Sequence, residues 1–185
     1  MQTNEAWATG RPIYSRLPDC YKENTIADWL TIYFDELLIE TKAKVDDLPR
    51  QLNPLECDVK WLDFLAPLCG FTGAYWEQTY PINAKRLLLT NSYKIIWSNK
   101  GSRIALSTVL DCFDIQHLIT NRGDFILGSS KVGDPLGTTA WEYQIFLPTI
   151  YRGTDTVKLV EKLDRLYSPL WCDREIIFDN LYFTN

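Results

Sequence analysis

The sequence predicts an α+β protein: an N-terminal segment of a helical bundle, then a small C-terminal α+β unit of short antiparallel strands with one packed helix. Three observations predict it. Between residues 24 and 113 apolar residues return every three or four positions, the period of helices with buried faces. From residue 114 the pattern shifts to short strand-like runs divided by Gly- and Pro-containing loops. One amphipathic stretch, "TDTVKLVEKLDRLYSP" (154–169), sits between two such runs, which is the order of a strand–helix–strand unit. The expected organisation is an extended arm over 1–23, a helical region over 24–113 and a small α+β domain over 114–185.

The arm carries Gly10, Pro12 and Pro18 and shows no periodicity. A helix begins at Asn24 or Thr25, either of which can cap its first amides. On a helical wheel Ile26, Leu30, Tyr33, Phe34, Leu37 and Leu38 share one broad face, and Ile32 and Ile39 lie opposite. One buried face suffices for a peripheral helix, so the second stripe points to contacts on both sides. "DDLPRQLNPLECD" (46–58) reads as a linker with two prolines. The second helix spans about Val59 to Cys69, buries Leu62, Leu65 and Leu68, and ends at Gly70. Pro81 suits the first turn of the third helix, about Ile82 to Ser98. Its apolar arc holds Ala84, Leu88, Leu89, Tyr93, Ile95 and Ile96, and Arg86, Thr90, Lys94 and Ser98 make a polar, basic stripe.

The stretch Asn-Lys-Gly-Ser (99–102) joins this helix to a fourth, about Arg103 to Phe113. Gly101 can turn left-handed without a Cβ clash, Lys100 can lie over the last carbonyls of the third helix, and Ser102 can cap the fourth. A packing joint is favoured over a DNA-reading turn, because the fourth helix offers Ile104, Ala105, Leu106, Val109 and Leu110, with Arg103 its one base. Strands are expected at "IQHLIT" and "FILGSS" around the turn "NRGD", at "EYQIFLP" (142–148) and at "CDREIIFD" (172–179). In the fifth helix Thr154 is the expected N-cap, Val157, Val160, Leu163 and Tyr167 form the apolar face, and Pro169 stops it.

Net charge is −5, which argues against general nucleic-acid binding. From Asp19 to Asp63 eleven acids face five bases; between Glu77 and Asp111 there are five bases (Lys85, Arg86, Lys94, Lys100, Arg103) and no acid. That division suits docking of unlike patches between subunits, or two solvated faces. Aromatics reach 14%, enough for a thick core or for apolar surface kept for partners. No apolar run spans a membrane and the first residues lack a secretion signal, so the five cysteines are expected as free thiols.

No catalytic, cofactor or metal residue is assigned. His117 is the one histidine, and a metal site needs several ligands at defined spacing. The same count leaves Ser-His-Asp chemistry only through that residue, with no nucleophile motif beside it. "GSSKVG" (128–133) lacks the closing Gly-Lys-Ser/Thr of a phosphate loop, and "RGD" (122–124) reads as a turn.

With these pieces in order, "DDLPRQLNPLECDVKWLDFLAPLCGF" (46–71) resembles the Leu-Pro, Asp/Asn-Pro and "LxxLAxxxGF" segment of the phage tail protein I family. "AKRLLLTNSYKIIWSNKGSRIALSTVLDCF" (84–113) is similar to that family's "R-x-L-L…Y…K-G-T…L…L" signature at Arg86, Leu88, Leu89, Lys100, Gly101 and Leu110. "LVEKLDRLYSPLWCDREI" resembles its final helix, proline and strand. Two departures stand out: Ser102 replaces the usual Thr, and Leu170 and Trp171 follow the proline where small or polar residues are usual.

The resemblance implies a non-enzymatic baseplate wedge subunit of contractile-tailed phages and related injection systems. It would join two copies of a larger wedge protein into a heterotrimer and contribute to the ring around the tail hub and the end of the tube or sheath. Its N-terminal helices would enter a shared bundle, with no cofactor, nucleic acid or membrane involved. The location implied is the virion tail baseplate, assembled in the host cytoplasm. Within that frame Ile32 and Ile39 are the expected partner stripe; Arg86, Lys94 and Arg103 are the expected basic docking residues; and Lys100, Gly101 and Ser102 form the structural joint. A tail-associated lytic hydrolase and an acidic protein-binding adaptor are the competing functions.

Overall fold

A computed structural model of the chain describes residues 5–121 and 142–183. Two compact units divide it, Met1–Glu56 and Cys57–Asn185. The break falls within the stretch read as a linker, so the helical region expected over 24–113 is shared between the two units.

The first unit is built on one long helix. Residues 5–23 are not an extended arm: they form short helical pieces at α1 (Glu5–Ala8), Tyr14–Arg16 and α2 (Asp19–Lys22). The turns wrap because Arg11 and the amide of Ile13 reach carboxylates on the long helix, α3 (Thr25–Asp46). Asn24 caps α3, its side chain accepting from the Ile26 amide at 2.9 Å. The expected linker contains one further helical turn, α4 (Leu48–Gln51), with Pro49 in its first turn, where a missing amide hydrogen does no harm.

Among the described residues the second unit combines four α-helices with a small sheet. α5 (Val59–Leu68) buries Leu62, Leu65 and Ala66, while Leu68 points outward, contrary to its expected place in the core. Its end is a Schellman turn: Phe71 N donates to Ala66 O at 2.9 Å and Gly70 N to Pro67 O at 3.1 Å. Gly70 has φ +85°, and a Cβ there would sit 2.9 Å from Nε1 of Trp97, whose N–H donates to Cys69 O at 2.7 Å. Glycine is required twice over.

The expected third helix is interrupted. α6 (Ile82–Asn91) gives way to a π-helical turn at Ser92–Trp97, which buries Ser92 and Ile96 and leaves Tyr93 exposed. The wider turn breaks the α-helical spacing on which the expected apolar arc depended. α7 (Arg103–Cys112) buries Ala105, Leu106, Val109 and Leu110. It ends in a second Schellman pattern (Ile115 N to Leu110 O, Asp114 N to Asp111 O) with Asp114 at φ 56°.

Among the described residues three strands follow in the order β1 (Leu118–Asn121), β2 (Glu142–Leu147), β3 (Asp173–Phe178). β1 and β2 are antiparallel, as expected; β2 and β3 are parallel, because a single helix, α8 (Asp155–Tyr167), returns the chain to its starting edge. The "FILGSS" strand, the RGD turn and "GSSKVG" lie outside the described residues. Thr154 occupies the N-cap position of α8, but its hydroxyl bonds back to Tyr151 O at 2.7 Å rather than capping an amide.

A three-stranded sheet cannot cover its own apolar face, so α7 and α8 cover it. Ile145, Leu147, Val109, Leu110, Val160 and Leu163 meet at the centre, each at most 2% exposed. Aromatic rings seal one side: Phe71 lies 5.1 Å from Trp97, which lies 5.3 Å from Tyr75, which lies 5.5 Å from Tyr167. Part of the high aromatic content is therefore core. Other aromatics, including Trp29, Tyr33, Phe34, Phe64 and Trp171, are exposed.

Candidate functional site

The long helix α3 is turned inside out relative to an ordinary peripheral helix. Its buried positions are Thr31 and Asp35, the latter fully enclosed. Arg11 supplies the countercharge: Nε donates to Asp35 Oδ2 at 2.8 Å, and Nη2 donates to Asp28 Oδ1 at 2.6 Å and Thr31 Oγ1 at 3.2 Å. The Ile13 amide takes the second Asp35 oxygen, and Thr31 Oγ1 also donates to Ala27 O at 2.9 Å. A buried carboxylate is tolerated only when paired and hydrogen-bonded in this way.

The broad apolar face points away from that clamp. Trp29 and Tyr33 are 74% and 65% exposed, and Ile26, Leu30, Phe34 and Leu37 are exposed with them. Ile32 and Ile39, the expected partner stripe, flank the clamp and are covered further, at 42% and 38% exposed. Both stripes therefore remain open, and the larger one is the face read from sequence as buried. Large contiguous apolar surface of this kind marks an interaction site.

The five bases between Glu77 and Asp111 separate into two groups. Lys85 is buried and donates to Asp63 Oδ1 at 2.7 Å; Trp76 Nε1 donates to the same oxygen at 2.9 Å. These bonds, led by that from Lys85, hold the Asp63 carboxyl below its ordinary range against the opposing effect of burial. Arg86 is also committed within the chain, Nη2 donating to Cys57 O at 2.8 Å, so it pins the start of this unit instead of standing free for docking. Lys100 does not lie over the helix carbonyls. Its ammonium sits over the rings of Tyr75 (4.5 Å) and Trp97 (5.4 Å) and donates to the Tyr75 hydroxyl. Lys94 and Arg103 are exposed and have no side-chain ion-pair partner among the described residues.

At the joint, Gly101 has φ +82° with open space where a Cβ would lie, and its amide donates to Tyr167 O at 3.0 Å. Ser102 caps α7, its hydroxyl accepting from the Ala105 amide at 3.3 Å. The turn therefore ties the α6–α7 junction to the end of α8, a long-range role beyond the helix–helix connection read from sequence.

One constellation merits chemical scrutiny. His117 Nδ1 faces Ile115 O at 2.8 Å, so Nδ1 carries the proton and Nε2 accepts from the Ser107 hydroxyl at 2.8 Å. Asp111 is 3.8 Å from Nδ1 and largely solvated, so a main-chain carbonyl orients the ring. Ser107 lies mid-helix, where the neighbouring amides are committed to α7. The pair fastens α7 to the start of β1. A second buried cluster, Asp164 with Tyr143 and Arg174, fastens α8 to β2 and β3. Burial, and then the adjacent Asp164, push the Tyr143 hydroxyl pKa upward. Among the described residues no three His, Cys, Asp or Glu side chains converge as a metal site, and no helix is long and apolar enough to cross a membrane.

Sequence reasoning missed the Arg11–Asp35 clamp and the outward face of α3. A signal existed: Asp28, Thr31 and Asp35 recur at helical spacing as a polar stripe inside an apolar helix. Its polarity looks like a solvent face, and only Arg11, far away in the chain, turns it inward.

No curated protein matches the chain. A family model described as Phage tail protein (Tail_P2_I) matches residues 28–166, from the first turn of α3 to the last turn of α8. Within that span the signature positions Leu88, Leu89 and Leu110 are core, Arg86 grips Cys57, and Gly101 grips Tyr167. The motif thus records how the second unit is held together, and over three quarters of its length this chain belongs to the phage tail protein family.

Proposed function

We propose that this phage tail protein is a structural, non-enzymatic subunit of the baseplate wedge of a contractile tail. The apolar face of α3 enters a helical bundle with two copies of a larger wedge protein, giving a heterotrimer. The second unit contributes to the ring of wedges around the tail hub, with Lys94 and Arg103 available to acidic neighbours and Leu170 and Trp171 exposed before β3. The observation that carries this reading is the inversion of α3: Thr31 and Asp35 are buried while Trp29, Leu30, Tyr33, Phe34 and Leu37 are not. Such a helix gains its hydrophobic stabilisation from other chains.

Co-expression with the larger wedge protein, followed by size-exclusion chromatography with light scattering, tests the proposal. A stable complex of one copy with two is expected. Separate elution of this chain would refute it.

A further inference from the structure

The second unit carries an apolar row that lies outside its buried core. α5 buries Leu62, Leu65 and Ala66, and on its opposite side Lys60, Phe64 and Leu68 follow one another at four-residue spacing. Phe64 and Leu68 are more than two-thirds exposed, although both are large and apolar. The row does not stop at the helix end. Tyr93, from the π-helical turn, is also exposed, and its hydroxyl donates to Leu68 O at 3.0 Å, which locks the two elements together. π-helical turns recur at functional positions, and this one leaves Tyr93 and Lys94 exposed, with the Tyr93 hydroxyl on the end of α5.

The row is therefore Lys60, Phe64, Leu68 and Tyr93, with basic Lys60 at its start and exposed Lys94 next to Tyr93 in the chain. Among the described residues neither ammonium has a side-chain partner. From Lys60 to Leu68 the helix rises about 12 Å, so the whole row matches the apolar stripe of a helix of three or so turns. Anchors at i, i+4 and i+7 of such a helix would meet Phe64, Leu68 and Tyr93.

We infer that Lys60, Phe64, Leu68, Tyr93 and Lys94 form a second docking site, taking an amphipathic helix of a partner protein with acidic residues at both ends of its apolar stripe. The charges select such a helix over a basic one, and the aromatic and Leu side chains provide the desolvated centre. This site lies on the second unit and does not depend on the role proposed for α3.

The probe is a synthetic helical peptide bearing Leu, Leu and Trp at i, i+4 and i+7 with Glu at both ends, and a control with Lys in place of Glu. Binding to the full chain is followed by fluorescence anisotropy. The acidic peptide should bind about tenfold tighter than the basic one. The preference should invert in the Lys60→Glu, Lys94→Glu variant, and both peptides should lose binding in Phe64→Ser, Leu68→Ser. All four positions are exposed, so circular dichroism should show each variant folded as the parent is. Equal binding of the two peptides, absence of binding, or binding that survives the Phe64→Ser, Leu68→Ser change would overturn the inference. Concentration-dependent dimerisation abolished by those same substitutions would also overturn it, by naming a second copy as the occupant.

Discussion

Replacing Leu30 and Leu37 by Asp separates the two things α3 can do. In the isolated chain both side chains already meet water, at 57% and 47% exposure, so the variant should unfold within about 0.5 kcal/mol of the parent per substitution. In an intermolecular bundle the outcome differs. Full burial of a leucine stabilises by roughly 1.5–3 kcal/mol, and about half of each side chain remains to be covered, so the pair contributes about 1.5–3 kcal/mol to association. Placing two carboxylates in that seam without partners adds a further penalty of about 1–3 kcal/mol each. The sum exceeds about 3 kcal/mol, more than a hundredfold in affinity. The assay is chemical denaturation of the isolated variant beside size-exclusion of the co-expressed wedge proteins. Parent-like unfolding with loss of the complex is expected. An intact complex would refute the reasoning, as would a large loss of stability in the isolated chain. The companion variant Ile32→Asp, Ile39→Asp should weaken assembly less, since those side chains are more covered and lie beside the clamp.

Three further outcomes follow from local geometry. Gly101→Ala should cost about 1–2 kcal/mol, the left-handed penalty alone, whereas Gly70→Ala should cost about 1 kcal/mol more because its Cβ displaces the Trp97–Cys69 hydrogen bond; equal melting temperatures for the two would contradict this. The Asp63 carboxyl is held below its ordinary value chiefly by Lys85, so its contribution is present above the ordinary carboxylate range and is lost as pH falls below about 4 toward the lowered folded value. Asp63→Asn should therefore flatten the acid limb of a stability–pH curve, and an unchanged limb would dismiss the link. Burial pushes the Cys112 thiol up to about 11, and Cys57 is buried too, so iodoacetamide at mildly alkaline pH should label exposed Cys20 first and reach Cys57 and Cys112 only on unfolding, as read by peptide mass spectrometry.

Periodicity made the second unit readable. Leu62, Leu65, Leu88, Val109, Leu110 and Leu163 are core because their spacing placed them on one face, and local caps such as Asn24 and Ser102 need only neighbouring residues. Three departures share a cause: each depends on a residue distant in the chain. Lys100 leaves its helix end because Tyr75 and Trp97 present a ring surface to its ammonium. Arg86 joins no surface stripe because Cys57 offers a carbonyl. The apolar face of α3 is open because Arg11 draws Asp35 inward and commits the opposite side. Periodicity shows which residues share a face; it does not say whether that face meets this chain, water or another protein. The parallel β2–β3 pairing has a different origin: it follows from the strand–helix–strand order, which an all-antiparallel expectation does not accommodate.

The most direct test is an electron cryomicroscopy map of the assembled tail at side-chain resolution. The account predicts that Trp29, Leu30, Tyr33 and Leu37 lie inside a helical bundle made with other wedge chains, while Asp35 still faces Arg11 within its own chain. A map in which that face of α3 borders solvent, or packs only on its own polypeptide, would contradict it.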